Sequence, residues 1–300
     1  MSKPGQTYGD YTVGWVCALP KERAAAMAML DESHDGLPSK QGDNNVYSLG
    51  SIGGHNVVIA GLPKGMIGTT SAAVVATDMV RTFPSVRFGL MVGIGGGIPP
   101  DVQLGDIVVS TPIGTYPGVV QWDFGKQEKQ GRFVRTGSLD KPPRLLLTAA
   151  ETLEAKHMMM NKPKIDEYLN DMVKRYPAMG PKFLRNDSFK DVRFEDDYEH
   201  RDSPEGGEGG GGKGGDNSCQ YCDKTKVVER EPKGRLIYYG LIASGNMVVK
   251  DAAFRNQLSK FLNNQVLCVE IEAASLMDNF PCIVIRGICN YADSYKNKIW

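Results

Sequence analysis

Short apolar runs alternate with helical patterns along most of this 300-residue chain. Apolar runs bounded by turn residues predict strands, at 11–19, 46–52, 55–62, 87–94, 105–112, 235–244, 266–271 and 282–289. Apolar residues at helical spacing, or a proline at a first helical position, predict helices, from Pro20, at 69–83, 143–158 and 250–263, and from Glu272. This alternation is typical of an α/β fold with a substantially parallel sheet.

The pattern fails between about residues 181 and 234, where the chain is polar and contains EGGEGGGGKGG (205–215). Such a tract cannot bury enough surface to offset the entropy of ordering it, so we expect a flexible surface insertion. Because the α/β pattern resumes at residue 235, the sequence predicts one domain over residues 1–300, interrupted once, and not two domains.

Charge and hydropathy exclude several classes of protein. The net charge is zero, whereas a general nucleic-acid binder needs a basic surface. No apolar run approaches the ~18 residues of a membrane span, and the N-terminal residues lack the apolar core of a secretory signal. Most cysteines lie in apolar strand-like segments, where a reduced thiol acts as a small hydrophobe. A cytoplasmic protein that binds neither nucleic acid nor membrane is the simplest interpretation.

Polar or glycine residues come directly after five predicted strands. Open α/β sheets bind ligands outside the carboxyl ends of their strands, so we expect these positions to converge on one cleft. They are Glu22, the run Gly93–Gly97, Ser244-Gly245-Asn246, Glu272 and Asn290. Each has a simpler explanation when taken alone, as a tight turn, a helix cap or a strand terminator. Five such signals together are hard to assign to turn chemistry.

The glycine run in GIGGGIPP (93–100) lets backbone N–H groups approach a ligand closely. It does not match the dinucleotide fingerprint, which needs glycine at Ile98 and then a helix that Pro99-Pro100 forbids. It does not match a phosphate loop either, because no Gly-Lys-Ser/Thr follows. A ligand-binding loop and a simple tight turn both remain open.

Two carboxylates, Glu270 and Glu272, lie where a buried strand turns into the next element. One of them at a helix start would be an ordinary cap. Two together favour a ligand contact for one of them, since a carboxylate can accept hydrogen bonds from two vicinal sugar hydroxyls at once.

Five segments in fixed order carry a specific resemblance: CALPKE (17–22), GIGGGIP with LGDIVVS (93–110), ASGNMV (243–248), VEIEAA (269–274) and IRGICNYAD (285–293). They resemble the purine nucleoside phosphorylase and methylthioadenosine nucleosidase superfamily, in particular the nucleoside-phosphorylase-like domain at the N-terminus of fungal immune-receptor-type proteins. The resemblance runs from about residue 11 to 299 outside the insertion. It implies a three-layer α/β/α sandwich with a mixed, partly barrel-like central sheet, and cleavage of the N-glycosidic bond of a purine nucleoside.

The resemblance also implies residue roles. Glu272 would hold the ribose hydroxyls, and Glu22 would orient or deprotonate the attacking water. The position of Asn290 normally carries an aspartic acid that protonates N7 of the leaving purine. The other implied substrate contacts are Gly93, Ile94, Gly95, Gly96, Ser244, Asn246, Met247, Val248 and Glu270.

Asn290 keeps the shape of an aspartic acid but cannot release a proton. Loss of a general acid costs about 10²–10⁴ in rate, while ground-state binding can survive. Our hypothesis is that the chain is a substrate-trapping form of an active hydrolase, with an engineered Asp-to-Asn change; a natural binding-only homologue is the alternative.

Members of the fungal branch resemble enzymes that remove adenine from adenine nucleotides, ATP included, by hydrolysis. No basic or hydroxyl residue occurs in MVGIGGGIPP, and Glu22 would repel phosphate, which favours hydrolysis over phosphorolysis. Arg23 keeps phosphorolysis open. Cations that could hold a triphosphate tail are Arg23, Lys64, Lys296 and Lys298, although lysines on loops are more often simply solvated.

Several further expectations accompany this hypothesis. We predict no cofactor; His200, Cys219 and Cys222 form at most part of a structural zinc site, with a disulfide or unpaired thiols as alternatives. The resemblance implies a homo-oligomer. The family continues into a helix beyond the position of Trp300, so we expect the sequence to be an excerpt of a larger receptor. The rival function is a non-catalytic nucleotide-sensing domain.

Overall fold

A computed structural model describes residues 6–160, 163–185, 191–199, 201, 221–231 and 233–295. Within these residues the chain forms twelve strands: β1 Val13–Cys17, β2 Glu32–His34, β3 Tyr47–Ile52, β4 His55–Gly61, β5 Phe88–Gly97, β6 Ile107–Ser110, β7 Val119–Gln121, β8 Gly125–Gln127, β9 Phe133–Arg135, β10 Ile237–Ser244, β11 Val266–Glu270 and β12 Cys282–Asn290. The same residues form six α-helices: α1 Pro20–Met29, α2 Thr69–Thr82, α3 Arg144–Met158, α4 Ile165–Arg175, α5 Gly180–Phe183 and α6 Ala252–Phe261.

The central sheet is mixed and curls on itself. Its strand order is β11-β10-β6-β12-β5-β1-β4-β3-β2, with β7 added beside β10. The strands β4, β1, β5 and β12 are parallel to one another, and β12 meets β6 in antiparallel fashion. At the other end β11 pairs antiparallel with β5, which closes β5, β12, β6, β10 and β11 into a barrel. This confirms the predicted mixed, partly barrel-like sheet.

Helices cover both faces of the flat part of the sheet. Alternate residues of β4 point to opposite sides, as the strand period of two requires. Val57 and Ile59 pack with α1, whereas Val58 and Ala60 pack with α2. The result is the predicted three-layer α/β/α arrangement, with the site-bearing barrel at one end of the sheet.

The strand β5 continues through the glycine run, whereas the sequence predicts a strand end at residue 94. The reason is crowding from both sides. A Cβ on Gly96 would lie 2.9 Å from the Ala292 Cβ, and one on Gly97 would lie 2.8 Å from Ile288 and from Val102. Glycine therefore serves here to let three strands approach closely, and the predicted loop is wrong.

Two further elements differ from the sequence prediction. The helix predicted from Glu272 is a single 3₁₀ turn, Ala273–Ser275, because the chain must return to begin β12 at Cys282. Asn290 is the last residue of β12 and not the first residue beyond it, after a register irregularity between Ile288 and Asn290.

The glycine-rich tract 205–215 lies outside the described residues, but parts of the insertion on either side of it are described. We call residues 191–199 the N-flank and residues 221–231 the C-flank. The two flanks pair with each other: Glu195 N–H donates to the Lys226 carbonyl at 2.9 Å, and Val228 N–H donates to the Arg193 carbonyl at 2.8 Å. Phe194 and Cys222 are buried against Tyr295, so the base of the insertion packs on the body of the domain.

Among the described residues, no helix combines the length and the apolar character needed to cross a membrane.

Candidate active site

A cavity of about 210 Å³ brings together residues from four of the five predicted strand-end positions; Ser244, Gly245 and Asn246 do not line it. Its lining includes Glu22, Glu272 and Asn290. The other residues that line it are Ala18, Leu19, Ile67, Ile94, Gly95, Gly96, Met247, Val248, Val249, Val269, Glu270, Ile271 and Cys289. The strand ends meet for a different reason from the one predicted. The sheet is not parallel throughout, and barrel closure brings the end of β11 across β5 at Gly96.

Glu22 is held by three backbone N–H groups. One carboxylate oxygen accepts from Ala18 and Leu19, at 2.8 Å each, and the other accepts from Ile94 at 2.8 Å. The first two contacts cap the start of α1 and the third joins that helix to β5. Glu22 is thus both a cap and a cavity residue, and its charge is fixed at one place on the cavity wall.

The absence of a side chain at Gly93 leaves the space that Glu22 and Arg286 occupy. A Cβ on Gly93 would lie 2.7 Å from the nearer Glu22 oxygen and 2.4 Å from an Arg286 nitrogen. Gly93 lines a second cavity, of about 650 Å³ and mainly apolar, on the other side of Glu22. It does not line the cavity that contains Glu272 and Asn290.

Arg286 divides the two predicted carboxylates into different roles. It is fully buried and donates a short hydrogen bond to Glu270 and a longer one, of 3.4 Å, to Glu272. Glu270 also accepts from the backbone N–H groups of Glu272 and Ala273, at 3.0 Å each. The Glu270 carboxylate is therefore taken up by the protein, and Glu272 is the carboxylate that remains for a ligand.

Burial raises the pKa of Glu272 to about 7. Arg286 opposes this rise, whereas the neighbouring carboxylates Glu270 and Glu22 add to it, and the N–H of Gly68 lowers the pKa slightly. At Arg286, burial lowers the pKa of the guanidinium, but the three nearby carboxylates outweigh the effect of burial, and the pKa is raised. At neutral pH Glu272 can thus exchange between a hydrogen-bond donor and an acceptor.

Asn290 closes a tight turn at the end of β12. Its Oδ1 accepts from the N–H of Ala292 at 2.9 Å, and its Nδ2 donates to the Cys289 sulfur at 3.0 Å. Ala292 has a φ of 52°, in the left-handed region that disfavours a side chain. The orientation of the Asn290 side chain therefore depends on the conformation of the backbone that follows it.

The segment after β10 forms the apolar wall of the cavity. Met247 and Val248 line it and are half exposed. Asn246 holds the segment in place: its N–H donates to Asp123 at 2.6 Å, and its Oδ1 accepts from the N–H of Thr69 at 3.3 Å. The predicted substrate contact Ser244 is fully buried and its hydroxyl accepts from Ala274 N–H at 2.8 Å, so it supports the chain and does not line the cavity.

The predicted phosphate-binding cations lie elsewhere or outside the described residues. The Arg23 guanidinium donates to the Val46 carbonyl at 2.8 Å and to the Ser48 hydroxyl at 2.9 Å, and it does not line the cavity. Lys64 is exposed on the loop between β4 and α2 and does not line it either. Lys296 and Lys298 lie outside the described residues.

No group of three His, Cys, Asp or Glu side chains suited to a metal ion occurs in the described part of the chain. Of the residues considered for zinc, Cys222 is buried, and His200 and Cys219 are not among the described residues.

Sequence reasoning missed Arg286 as a site residue. The signal was present, because a charged residue stands in the middle of the apolar run VIRGIC (284–289), and a buried charge needs a partner. Which carboxylates would pair with it could not be read locally, since Glu270 ends another strand and Glu272 follows that strand. Asp123 and Thr69 carried no comparable signal.

Comparison with known proteins confirms the family resemblance. Residues 12–175 match the family described as the Phosphorylase superfamily. A "Nucleotide-binding leucine-rich repeat (NLR)-like protein" of Hyaloscypha variabilis is 46% identical over 302 residues, which cover 99% of this chain and 28% of that protein. A 5'-methylthioadenosine/S-adenosylhomocysteine nucleosidase of Mycobacterium bovis is 30% identical over 118 residues, 38% of this chain and 39% of the nucleosidase. The chain thus spans well under half the length of each relative.

Solved structures of nucleosidases share the fold. Futalosine hydrolase of Helicobacter pylori matches with a TM-score of 0.56 at 17% identity, over 97% of this chain and 89% of that one. An Asp-to-Asn mutant of the H. pylori methylthioadenosine nucleosidase, with 5'-methylthioadenosine in its active site, matches with a TM-score of 0.57 at 16% identity, over 96% and 89%. At these identities the likeness concerns the fold alone. The family match covers more than half of the chain, and the chain therefore belongs to the phosphorylase superfamily.

Proposed function

We propose that this domain binds a purine nucleotide in the 210 Å³ cavity and that the site is built to hydrolyse the bond between base and ribose, with ATP giving adenine and ribose triphosphate. The observation that carries the proposal is that Glu22, Glu272 and Asn290, which come from three separate parts of the chain, line this one cavity. The nucleosidases among the relatives and the shared fold support the reaction class.

The chemistry assigns a role to each carboxylate. A purine leaves through an oxocarbenium-like sugar, so a base on one side readies water and an acid on the other protonates the leaving group. Glu22 is the base for water. Glu272 holds the ribose hydroxyls, and its contact strengthens as the sugar becomes cationic, which favours the transition state over the ground state.

The leaving-group position is where the chain departs from a complete catalyst. Asn290 can donate an N–H to N7 of the purine but cannot transfer a proton to it. As it stands, the chain binds its substrate and turns it over slowly. An Asp-to-Asn mutant among the solved neighbours that holds 5'-methylthioadenosine is consistent with such a trapping role.

Water is the preferred nucleophile over phosphate. Among the described residues that line the cavity there is no lysine or arginine, whereas three are glutamates, Glu22, Glu270 and Glu272. A phosphorylase needs cationic donors at that place.

The decisive experiment restores the acid. We expect Asn290→Asp to raise the rate of adenine release from ATP about 10²–10⁴-fold in phosphate-free buffer, because a general acid contributes about that factor. Asn279→Asp adds the same charge at an exposed position outside the cavity and serves as the matched control. No gain for Asn290→Asp overturns the trapping account, and activity only with added phosphate indicates a phosphorylase.

A second candidate function is a non-catalytic nucleotide-sensing domain. Asn290 itself favours it, and so does the NLR-like relative, of which this chain spans 28%. In that case the Asn290→Asp variant binds the nucleotide but releases no adenine. Both candidates fit a receptor-type protein that assembles as a homo-oligomer, which analytical ultracentrifugation with and without ATP tests directly.

A further inference from the structure

The N-flank and the C-flank of the insertion hold the residues that follow Asn290. We call residues 290–295 the Asn290 turn. Its members Tyr291 and Tyr295 contact the N-flank, and Tyr291 also contacts the C-flank. The insertion is remote from Asn290 in sequence, but its described ends meet at the segment that carries this side chain.

The first contact is made by the hydroxyl of Tyr291, the residue next to Asn290 in sequence. The hydroxyl donates to Asp191 of the N-flank at 2.7 Å and accepts from Arg230 of the C-flank. Arg230 in turn donates to both Asp191 oxygens, at 2.9 and 3.0 Å, and its guanidinium lies 4.8 Å from the centre of the Tyr291 ring. Both flanks therefore grip one side chain of the turn.

The second contact holds the backbone of the turn. The fully buried Arg255 of α6 donates to the Tyr291 carbonyl at 2.8 Å and to Asp196 of the N-flank at 2.6 Å. Asn256 donates to the other Asp196 oxygen at 2.9 Å. Because a buried cation needs a partner, Asp196 keeps Arg255 in the position from which it reaches the turn.

The third contact is an aromatic stack at the far end of the turn. The ring of Tyr295 lies parallel to Phe194, with centroids 4.3 Å apart, and to Tyr198, with centroids 6.0 Å apart. The Tyr295 hydroxyl donates to the Tyr198 carbonyl at 2.7 Å. All three contacts thus connect the N-flank with the turn.

The turn needs such external support. The N–H of Ala292 fixes the Asn290 side chain, and it does so from a left-handed backbone conformation. A residue other than glycine stays in that unfavourable conformation only where contacts with the surrounding structure enforce it. The contacts of Tyr291 and Tyr295, on either side of Ala292, provide this enforcement.

We propose that the two flanks of the insertion are the positioning element of residue 290, with Asp191, Asp196 and Tyr291 as positioning residues for the leaving-group side of the site. The consequence for catalysis rests on the proposed function, whereas the structural coupling does not. The insertion then has a role in aiming the side chain that faces the base.

Hydrogen exchange tests the coupling in the chain as it stands. We expect Asp196→Asn to speed exchange of the amides at 291–295 about tenfold, since local opening exposes them. Glu195→Gln is the matched control: it makes the same acid-to-amide change one residue away, where the side chain pairs only with Lys226 at 2.9 Å in the contacts of the described residues. Equal exchange in the two variants overturns the inference.

Kinetics in the Asn290→Asp background tests the positioning role. We expect Asp196→Asn and Tyr291→Phe each to lower kcat about 10- to 100-fold with KM changed less than twofold, because misplacing a catalytic group by an ångström costs up to that factor. Tyr291→Phe removes only a hydroxyl and guards against misfolding of the first variant. An unchanged kcat in both variants overturns the inference. If the Asn290→Asp parent releases no adenine, the proposed hydrolysis fails, and the exchange comparison decides the inference by itself.

Discussion

Replacing Glu272 by glutamine should stabilise the folded chain while it impairs the site. Glu272 is 5% exposed, and its surroundings raise its pKa from 4.5 to about 7. The folded state therefore binds the proton more tightly than the unfolded state does. Below about pH 4.5 the group is protonated in both states and carries no cost; above about pH 7 it is ionised in both and the full cost is present. The free energy of unfolding falls between these limits as the pH rises.

The size of the effect follows from the same pKa. A rise from 4.5 to about 7, at about 1.4 kcal/mol per pH unit, corresponds to a cost of roughly 3 kcal/mol above pH 7. Glutamine has nearly the same shape and no charge. We expect Glu272→Gln to raise the free energy of unfolding by about 1 to 3 kcal/mol at pH 8, and by much less at pH 5.

Urea unfolding at pH 5, 6, 7 and 8 measures this difference. The control is Glu270→Gln, two residues away, which removes the carboxylate nearest to the buried Arg286. We expect that variant to lose about 3 to 5 kcal/mol, because it takes from a buried cation its closest carboxylate partner and leaves only the longer contact to Glu272. The same chemical change thus has opposite signs at the two positions. A Glu272→Gln variant that is less stable than the parent at pH 8, or equally shifted at pH 5 and pH 8, refutes the reasoning.

Two other outcomes follow from packing and burial. Gly93→Ala should cost about 1 to 3 kcal/mol of stability, because its Cβ would lie 2.4 Å from Arg286, while Gly287→Ala meets no atom within 4 Å and should change the melting temperature little. Equal melting temperatures would contradict this. Burial raises the pKa of Cys17 and of Cys282 to about 12, so the native chain should resist iodoacetamide at pH 8 at both thiols, and urea should expose them. Rapid native labelling of Cys17 would show that its environment is not as described.

Much of the fold was predictable because its signals are local. Apolar runs marked most of the longer strands, and Gly53-Gly54, both with positive φ, joined β3 to β4 as the predicted hairpin. The path of β5 was not predictable in the same way. Glycines after an apolar run are typical of a turn, and only the pairing of β5 with both β12 and β11 makes Gly96 and Gly97 part of a strand.

The residues of the candidate site were likewise predictable only in part. Its lining includes Glu22, Gly95, Gly96, Met247, Val248, Glu272 and Asn290, all of which carried a signal in the sequence. Arg23 and Ser244 also carried one, but their polar groups bond to the protein itself. Chemical type can be read from the sequence, whereas the direction of a side chain depends on neighbours far along the chain.

The sequence by itself determined which polar groups lie at or near the strand ends, and it determined that residue 290 is an amide, which cannot transfer a proton. Only the tertiary structure decided which carboxylate is available. Arg286, on a strand that begins after the 3₁₀ turn, pairs most closely with Glu270 and leaves the Glu272 carboxylate available to a ligand in the cavity. The physical reason is that hydrophobic periodicity is a local property, while the pairing of buried charges depends on which strands the barrel brings side by side.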